Sequence, residues 1–532
     1  MYRYIKNFTI LFLGIAIVSS CSKDILPRNQ ETADTVFNDP NAYIQALAKI
    51  YAGIALSGQQ GPAGSPDISG IDEGFSNYLR QYWKAQELST DLAKIAWNDG
   101  NIKDYHTHNW SPSNEFIRAT YDRIIYQVAL ANEFIRQTSD EKLASRGVTG
   151  TLLEEIQEYR AEARFMRALS YWHALDLFGN VPFVTDLDGI GAFLPKQISR
   201  EDLFVYIEEE LLEIESQMIA PRQNDFGRAD AAAAWTLLAK LYLNAEVYVN
   251  EGHYTEALTY INKVIDAGYQ VNQNAPYSYL FLADNDTNPS ASELIFSINF
   301  DGKNTQNYGG MTFLVHASIG GSMIPSDFGV NSGWFGIRTT SAFVNKFPDI
   351  NGTDSRGAFY TDGQNKEIAD QSLFTDGYAM VKFKNVDVNG NAGSDPTGDF
   401  PDTDFPMFRL ADVYLMYAEA VLRGGQGGSV TQATDYINIL RSRAYGNSNG
   451  NISTAQLTLD FILDERAREL YWEGHRRTDL IRFGKFTGGA YLWPWKGGIQ
   501  QGTATESYKD LYPIPSTDLI ANPTLNQNTG YN

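Results

Sequence analysis

Apolar side chains recur every three or four positions over residues 34–54, the spacing of one helical face, with Asp39-Pro40 as a start signal. The same period predicts helices over 114–136, 152–179, 200–218, 229–247 and 255–266. It returns over 408–422, 430–444, 456–472 and 476–483. In the longest of these, Ile156, Ala163, Met166, Leu169, Trp172 and Leu175 keep to one face, and Gly179 followed by Pro182 ends the run. Between 268 and 407 the period is lost. Asn, Asp, Gly and aromatic residues crowd together there, and "NYGGMTFLV" and "GYAMVKFKN" read as short strands amid long loops. A second loop-rich stretch, "SGQQGPAGSPDISGIDEGF", separates the first two helices. Such loops on a helical scaffold are where binding sites gather.

Two of the predicted hairpins repeat each other. "YTEALTYINKVIDAG" parallels "VTQATDYINILRSRA", and each follows a helix bearing Ala-Glu, at Ala245-Glu246 and Ala418-Glu419. The shared Ala, Tyr, Ile and Asn spacing is that of a helix–turn–helix unit of tetratricopeptide type. Such units bury their apolar faces only by stacking on neighbours. The expected fold is therefore mainly α: a tetratricopeptide-like helical repeat scaffold carrying a loop-rich mixed insertion.

Composition sharpens the picture. Hydrophobic residues make up 43% of the 532 and aromatics 13%, which excludes a disordered chain. The net charge of -22 argues against a nucleic-acid partner, because an acidic surface repels phosphate backbones. A neutral ligand fits better. There is one cysteine, Cys21, so stability rests on the core and not on disulfides. Arg3 and Lys6 precede an apolar run, Phe8 to Val18, of signal-peptide length and too short to span a bilayer. Ser19 and Ser20 stand just before Cys21, and "VSSC" resembles a bacterial lipobox. That resemblance implies cleavage after residue 20 and lipidation of Cys21, which would tether the protein to a membrane. The alternative is an ordinary secretory signal with a free or buried thiol.

Five further segments look like the signatures of the SusD/RagB family, in the family's order. They are "EARFMRALSYWHALDLFGNVPF", "FGRADAAAAWTLLAKLYL", "FRLADVYLMYAEA", "ERARELYWEGHRRTDLIRFG" and "YPIPSTDLIANPTLNQNTGY". The resemblance implies a surface-exposed outer-membrane lipoprotein that binds a nutrient and caps a TonB-dependent transporter of SusC type. It also implies a division into a leader (1–20), an N-terminal helical region with binding loops (21–267), a ligand-binding insertion (268–406) and a C-terminal helical region (407–532). "GSPDISGIDEG", "HNWSPS", "NYGGMTFLV", "NSGWFG" and "YLWPWKGG" further resemble the starch-binding branch of the family. Starch or a malto-oligosaccharide is the ligand this implies.

A neutral glycan offers apolar C–H faces to aromatic rings and hydroxyls to polar groups. α-1,4-Glucan coils, so rings set on an arc match it better than a flat platform. By the resemblance, Trp97, Tyr308 and Trp334 form that arc, while Asp72, Arg80 and Asn101, or Asn98 in its place, bond the hydroxyls. Gly309, Gly310 and Gly333 are expected to let the backbone approach the ligand without a Cβ clash. Trp493 and Trp495 read as packing. In "ADNDTNPS", Asp284, Asp286 and Asn288 alternate as oxygen donors would around a hard cation, yet Pro289 stands where an EF-hand loop needs Gly. The resemblance supplies the rest of a structural calcium site from "PDTD", giving Asp286, Asn288, Asp402 and Asp404 as its ligands. Two solvated acidic turns are the alternative.

Glu465, Arg466, Arg468, Glu469, Arg476, Arg477 and Asp479 read as structural i,i+3 and i,i+4 pairs. His106 and His108 could chelate a metal but lack a third ligand. No nucleophile elbow, phosphate loop or zinc motif is present, so the expected protein is a binder and not an enzyme. Two competing readings remain: a surface glycoside hydrolase, which would need paired carboxylates about 5–9.5 Å apart, and a peptide- or other-glycan-binding member of the same family.

Overall fold

The computed structural model describes residues 32–531 except 63, 73, 190 and 192. The leader and Cys21 lie outside the described residues. The chain divides into two units after Tyr43. In the first unit Thr32 caps a single helical turn, Ala33–Val36, and the Phe37 and Tyr43 rings meet at 5.0 Å. Helix α1 (Asn41–Ala55) starts immediately after Pro40, with Asp39 Oδ1 accepting the Asn41 N–H at 2.9 Å.

From Ile44 onward the chain forms one compact unit. Its scaffold begins with α2 (Tyr78–Trp83), which runs into a π-helical turn over Lys84–Leu88. Two long helices follow, α3 (Glu115–Gln137) and α4 (Thr151–Leu177), packed side by side, and α5 (Arg200–Ile214) lies against α4. The second half of α4, from Ala161 to Leu177, is buried except at Arg164.

The two predicted repeats are helical hairpins. Helix α6 (Ala231–Leu243) pairs with α7 (Tyr254–Asp266), α9 (Leu410–Leu422) pairs with α10 (Val430–Tyr445), and α7 packs on α9, so the hairpins stack. The aligned positions do the same work in both. Ala257 and Ala433 are fully buried where the helices approach closely, and Ile261 and Ile437 fill the next turn. Tyr260 stacks on Tyr242 at 5.9 Å and Tyr436 on Tyr414 at 4.2 Å, each ring reaching the first helix of its own hairpin. Helices α11 (Leu459–Leu470) and α12 (Arg476–Arg482) complete the scaffold.

Strands among the described residues pair only in twos. One pair matters to the site: β1 (Lys94–Ile95) with β3 (Ile337–Arg338), antiparallel, which ties the loop after α2 to the insertion. A second, β2 (Leu294–Ile298) with β5 (Phe405–Arg409), was hidden in the sequence, where Phe408 read as the start of a helix. Of the two strands expected in the insertion, "GYAMVKFKN" holds only β4 (Ala379–Met380). "NYGGMTFLV" contains a helix instead, α8 (Gly310–Ala317), every residue of which is buried. An apolar run with no polar face looks the same to periodicity whether it is a buried strand or a buried helix.

The charge cluster of α11 and α12 differs from expectation in reach. Glu465–Arg468 at 2.6 Å is an i,i+3 pair. Asp479–Arg482 at 2.8 Å is a second, and other bonds reach beyond the helix: Arg466 to Asp479 and Asp412, both at 2.8 Å, Arg476 to Asp91 at 2.7 Å, and Glu469 to Arg409 at 2.8 Å and Arg356 at 3.1 Å. These side chains are almost wholly buried. Arg356 belongs to the insertion, so the network locks insertion to scaffold. Charges buried this way stay only while each keeps its partner.

Candidate functional site

The site is assembled by three loops that β1 and β3 and helix α8 hold together. Trp97 follows β1, Trp334 precedes β3, and Tyr308 leads into α8. Trp97 and Trp334 have ring centroids 6.4 Å apart with planes inclined at 43°, and Tyr308 and Trp334 are 6.3 Å apart at 62°. Three neighbouring rings, each turned from the next, make a curved apolar surface. Tyr308 is exposed, and Trp97 and Trp334 are half-buried.

Each ring is held from behind. Trp97 Nε1 donates to the Trp334 carbonyl at 2.8 Å, and its ring meets Phe313 of α8 edge-on at 5.8 Å. Trp334 lies parallel to the His316 imidazole at 4.8 Å. His316 in turn has Nδ1 at 2.8 Å from the Ser332 carbonyl and Nε2 at 2.8 Å from the Asp399 carbonyl, which ties α8 to both neighbouring loops. Tyr308 rests on Phe400 at 5.9 Å. His316 and Phe400 carry no sequence motif.

Arg80 sits under this surface, with its guanidinium 4.5 Å from the Phe313 ring centre and 5.7 Å from that of Trp97. Nη1 donates to the Gly74 carbonyl at 3.0 Å and the Tyr308 carbonyl at 2.9 Å, so Arg80 fixes the Tyr308 loop. Its Nε is buried without a partner. Burial lowers the Arg80 guanidinium to about 10, against the pull of Asp99 and Asp72. Asp72 is exposed and accepts the Phe75 N–H at 3.1 Å. One turn further, Lys84 is fully buried, its ammonium over the Phe116 ring at 4.2 Å and without a hydrogen bond. Burial, reinforced by Arg80, holds it well below the ordinary lysine range.

Of the predicted polar contacts, Arg80 is thus joined to the rings, Asp72 bears on Arg80 through its charge, and Asn101 is held elsewhere. Asn101 Oδ1 accepts the Glu115 N–H at 3.3 Å and its carbonyl accepts Asn114 Nδ2 at 3.1 Å, both at the start of α3. Asn98, next to Trp97, is exposed and faces Lys103 and Ser372. The glycines expected to admit a ligand are closed by protein. A Cβ on Gly309 would meet Asn77 at 2.0 Å, on Gly310 Phe300 at 2.4 Å, and on Gly333 the Ile319 carbonyl at 2.5 Å. Their smallness serves internal packing. Trp493 is buried, in keeping with packing, and Trp495 Nε1 donates to the Ile368 carbonyl at 2.9 Å.

The predicted cation ligands meet only in part. Burial pushes the Asp404 carboxyl well up, and the charges of Asp286, Asp402 and Asp301 push it the same way. Burial and like charges both disfavour the ionised form of such a carboxyl, and a proton or a cation relieves them. Asn288 is otherwise engaged. Its Oδ1 accepts the Ser290 N–H and its Nδ2 donates to the Tyr279 carbonyl, both at 2.8 Å. Among the described residues no three carboxylate, imidazole or thiol side chains are arranged to hold a metal ion. His106 and His108 are spent separately, His106 on the Ile95 N–H at 3.0 Å and His108 on the Ser89 carbonyl at 2.7 Å.

A stacked helical-repeat scaffold that presents a curved aromatic surface on loops defines the class. The comparisons supply the family. The SusD family model, SusD_RagB, matches residues 360–531. Over 99% of both chains the sequence is 38% identical to the starch-binding protein SusD of Bacteroides thetaiotaomicron. It is 25% identical to the SusD-like protein P38 of Formosa agariphila, over 92% of this chain and 99% of that one. The fold superposes on surface glycan-binding protein A from Bacteroides fluxus with TM-score 0.70 at 20% identity, covering 92% of this chain and 99% of that one. The B. thetaiotaomicron surface glycan-binding protein A, solved with laminarihexaose, gives 0.66 at 20% identity with the same coverage. The chain belongs to the SusD family.

Proposed function

We propose that this protein is a non-catalytic surface binder of α-1,4-glucan, starch or malto-oligosaccharide, that passes its ligand to a TonB-dependent transporter of SusC type. The observation that carries the reading is the arc of Trp97, Trp334 and Tyr308, three rings within 6.4 Å of their neighbours and tilted at 43° and 62°. A flat β-linked chain would lie across such a surface touching one ring at a time, whereas a coiled α-glucan can follow it. The full-length likeness to a protein named for starch binding supports the same ligand. The lipobox-like "VSSC" supports a tether through lipid on Cys21 at the outer face of the outer membrane. A structural calcium at Asp404, its shell completed by backbone carbonyls and water instead of by three carboxylates, belongs to the reading.

Titration calorimetry with maltoheptaose tests it, run beside a mixed peptide pool and followed by an assay for shorter products. Heat with maltoheptaose alone and no product is expected. Heat with peptides alone would move the protein to the peptide-binding reading, and released glucose or maltose would make it a hydrolase.

A further inference from the structure

Phe335 directly follows Trp334 and is the one residue of that loop with a large ring left open, 52% exposed. Its backbone lies in the left-handed region, φ 52°, which is costly for a bulky side chain and persists only where its surroundings enforce it. They do so here. The Phe335 N–H is bonded to the Ile319 carbonyl at 2.9 Å. The ring lies over Gly320, where an added Cβ would come within 2.8 Å of both Phe335 and Phe374, and it meets Phe374 edge-on at 5.8 Å. An exposed ring that is already immobilised loses little entropy when a ligand covers it.

Polar groups stand on the same stretch of surface. Leu373, 50% exposed, and Ser372 adjoin Phe374 in sequence. Ser372 Oγ lies 2.6 Å from Lys103 Nζ and 3.2 Å from Asn98 Oδ1, and Asn98 follows Trp97. Two contacts, Asn98 with Ser372 and Phe374 with Phe335, and the adjacency in sequence of Asn98 to Trp97, Ser372 to Phe374 by way of Leu373, and Phe335 to Trp334 connect this surface to the arc. They place an apolar platform and a Lys–Asn–Ser cluster immediately beside the arc. Ammonium, amide and hydroxyl together supply donors and acceptors for sugar hydroxyls.

We propose that Phe335, with Lys103, Asn98 and Ser372, forms an additional sugar subsite that extends the aromatic arc, so that the protein favours chains longer than the arc alone can cover. The proposal rests on the glycan-binding reading above. It assigns the arc to the first glucose units and this surface to those beyond.

Affinities for maltotriose and maltoheptaose are measured for wild type, Phe335→Asn and Lys103→Ala. Asn tolerates the left-handed backbone, so the fold is kept, and a thermal melt checks it. Wild type should bind the heptaose more tightly than the triose. Each variant should lose threefold to tenfold for the heptaose, about what one ring or one charged hydrogen bond contributes, and nothing for the triose. Equal losses for both lengths would show that Phe335 only props Trp334. Unchanged heptaose affinity in both variants would show that the surface binds no sugar. Either result overturns the subsite while leaving the glycan reading in place. Failure of wild type to bind any malto-oligosaccharide would overturn the glycan reading itself, and the subsite with it.

Discussion

Trp97, Tyr308 and Trp334 carry the same role in the proposed function but not the same weight in the fold. Tyr308 is 37% exposed and packs only on other rings, whereas Trp97 spends its indole N–H on the Trp334 carbonyl and its edge on Phe313. Tyr308→Ala is therefore expected to weaken maltoheptaose binding about twofold to twelvefold, taking about 0.5–1.5 kcal/mol for a stacked ring. Its melting temperature should stay within about 2 °C of wild type. Trp97→Ala should lose binding and also melt lower, because it leaves a carbonyl without its donor and a gap beside Phe313. Equal melting losses for the two would contradict this division. Taken alone, each ring reads as core; the family resemblance is what grouped the three, and the structure sets them side by side. What lies beneath them was not legible in the sequence. His316 and Phe400 come from a helix and a loop 84 positions apart in the chain, and nothing local marks them. Nor could the sequence tell that Gly309, Gly310 and Gly333 make room for Asn77, Phe300 and a backbone carbonyl instead of for a sugar.

Among the elements, the repeat hairpins were readable because each keeps its Ala, Tyr and Ile at the spacing the packing demands. The errors fell where tertiary burial erases polarity, as in α8, or where a strand runs straight into a helix, as β5 does into α9. The π-helical turn over Lys84–Leu88 was likewise invisible. Its Glu87 is fully buried, with Oε1 accepting the Gly474 N–H at 2.9 Å and Oε2 without a partner. Burial pushes this carboxyl up to about 8, against Gly474, Lys382 and Arg476. A pKa raised on folding means that the folded state holds the proton more tightly. The corresponding stability is complete below about 4.5, the ordinary glutamate value, and falls away as pH rises to about 8. Glu87→Gln keeps the Oε1 acceptor and never ionises. Its melting temperature relative to wild type should therefore climb between pH 5 and pH 8.5. A difference that stays constant over that range would show that Glu87 is charged throughout.

At the scale of the whole molecule, the insertion and scaffold share one interior, joined by buried ion pairs such as Arg356 with Glu465 at 2.8 Å. The acidic group around Asp404 lies where the insertion returns to the scaffold, just ahead of β5. If calcium neutralises it, a chelator should lower the melting temperature of wild type, and Asp404→Asn should be insensitive to chelator. An ion at 100-fold excess over its Kd would account for about 2.7 kcal/mol. Identical wild-type melts with and without chelator would contradict a calcium at Asp404.

The central claim is that a curved aromatic surface selects a coiled α-glucan, and competition calorimetry addresses it most directly. With maltoheptaose bound, a cyclic α-glucan should displace it and straight cellohexaose should not. The variant lacking all three rings, Trp97→Ala with Tyr308→Ala and Trp334→Ala, should give no heat while still melting cooperatively. Equal displacement by cellohexaose, or undiminished heat from the triple variant, would contradict the account.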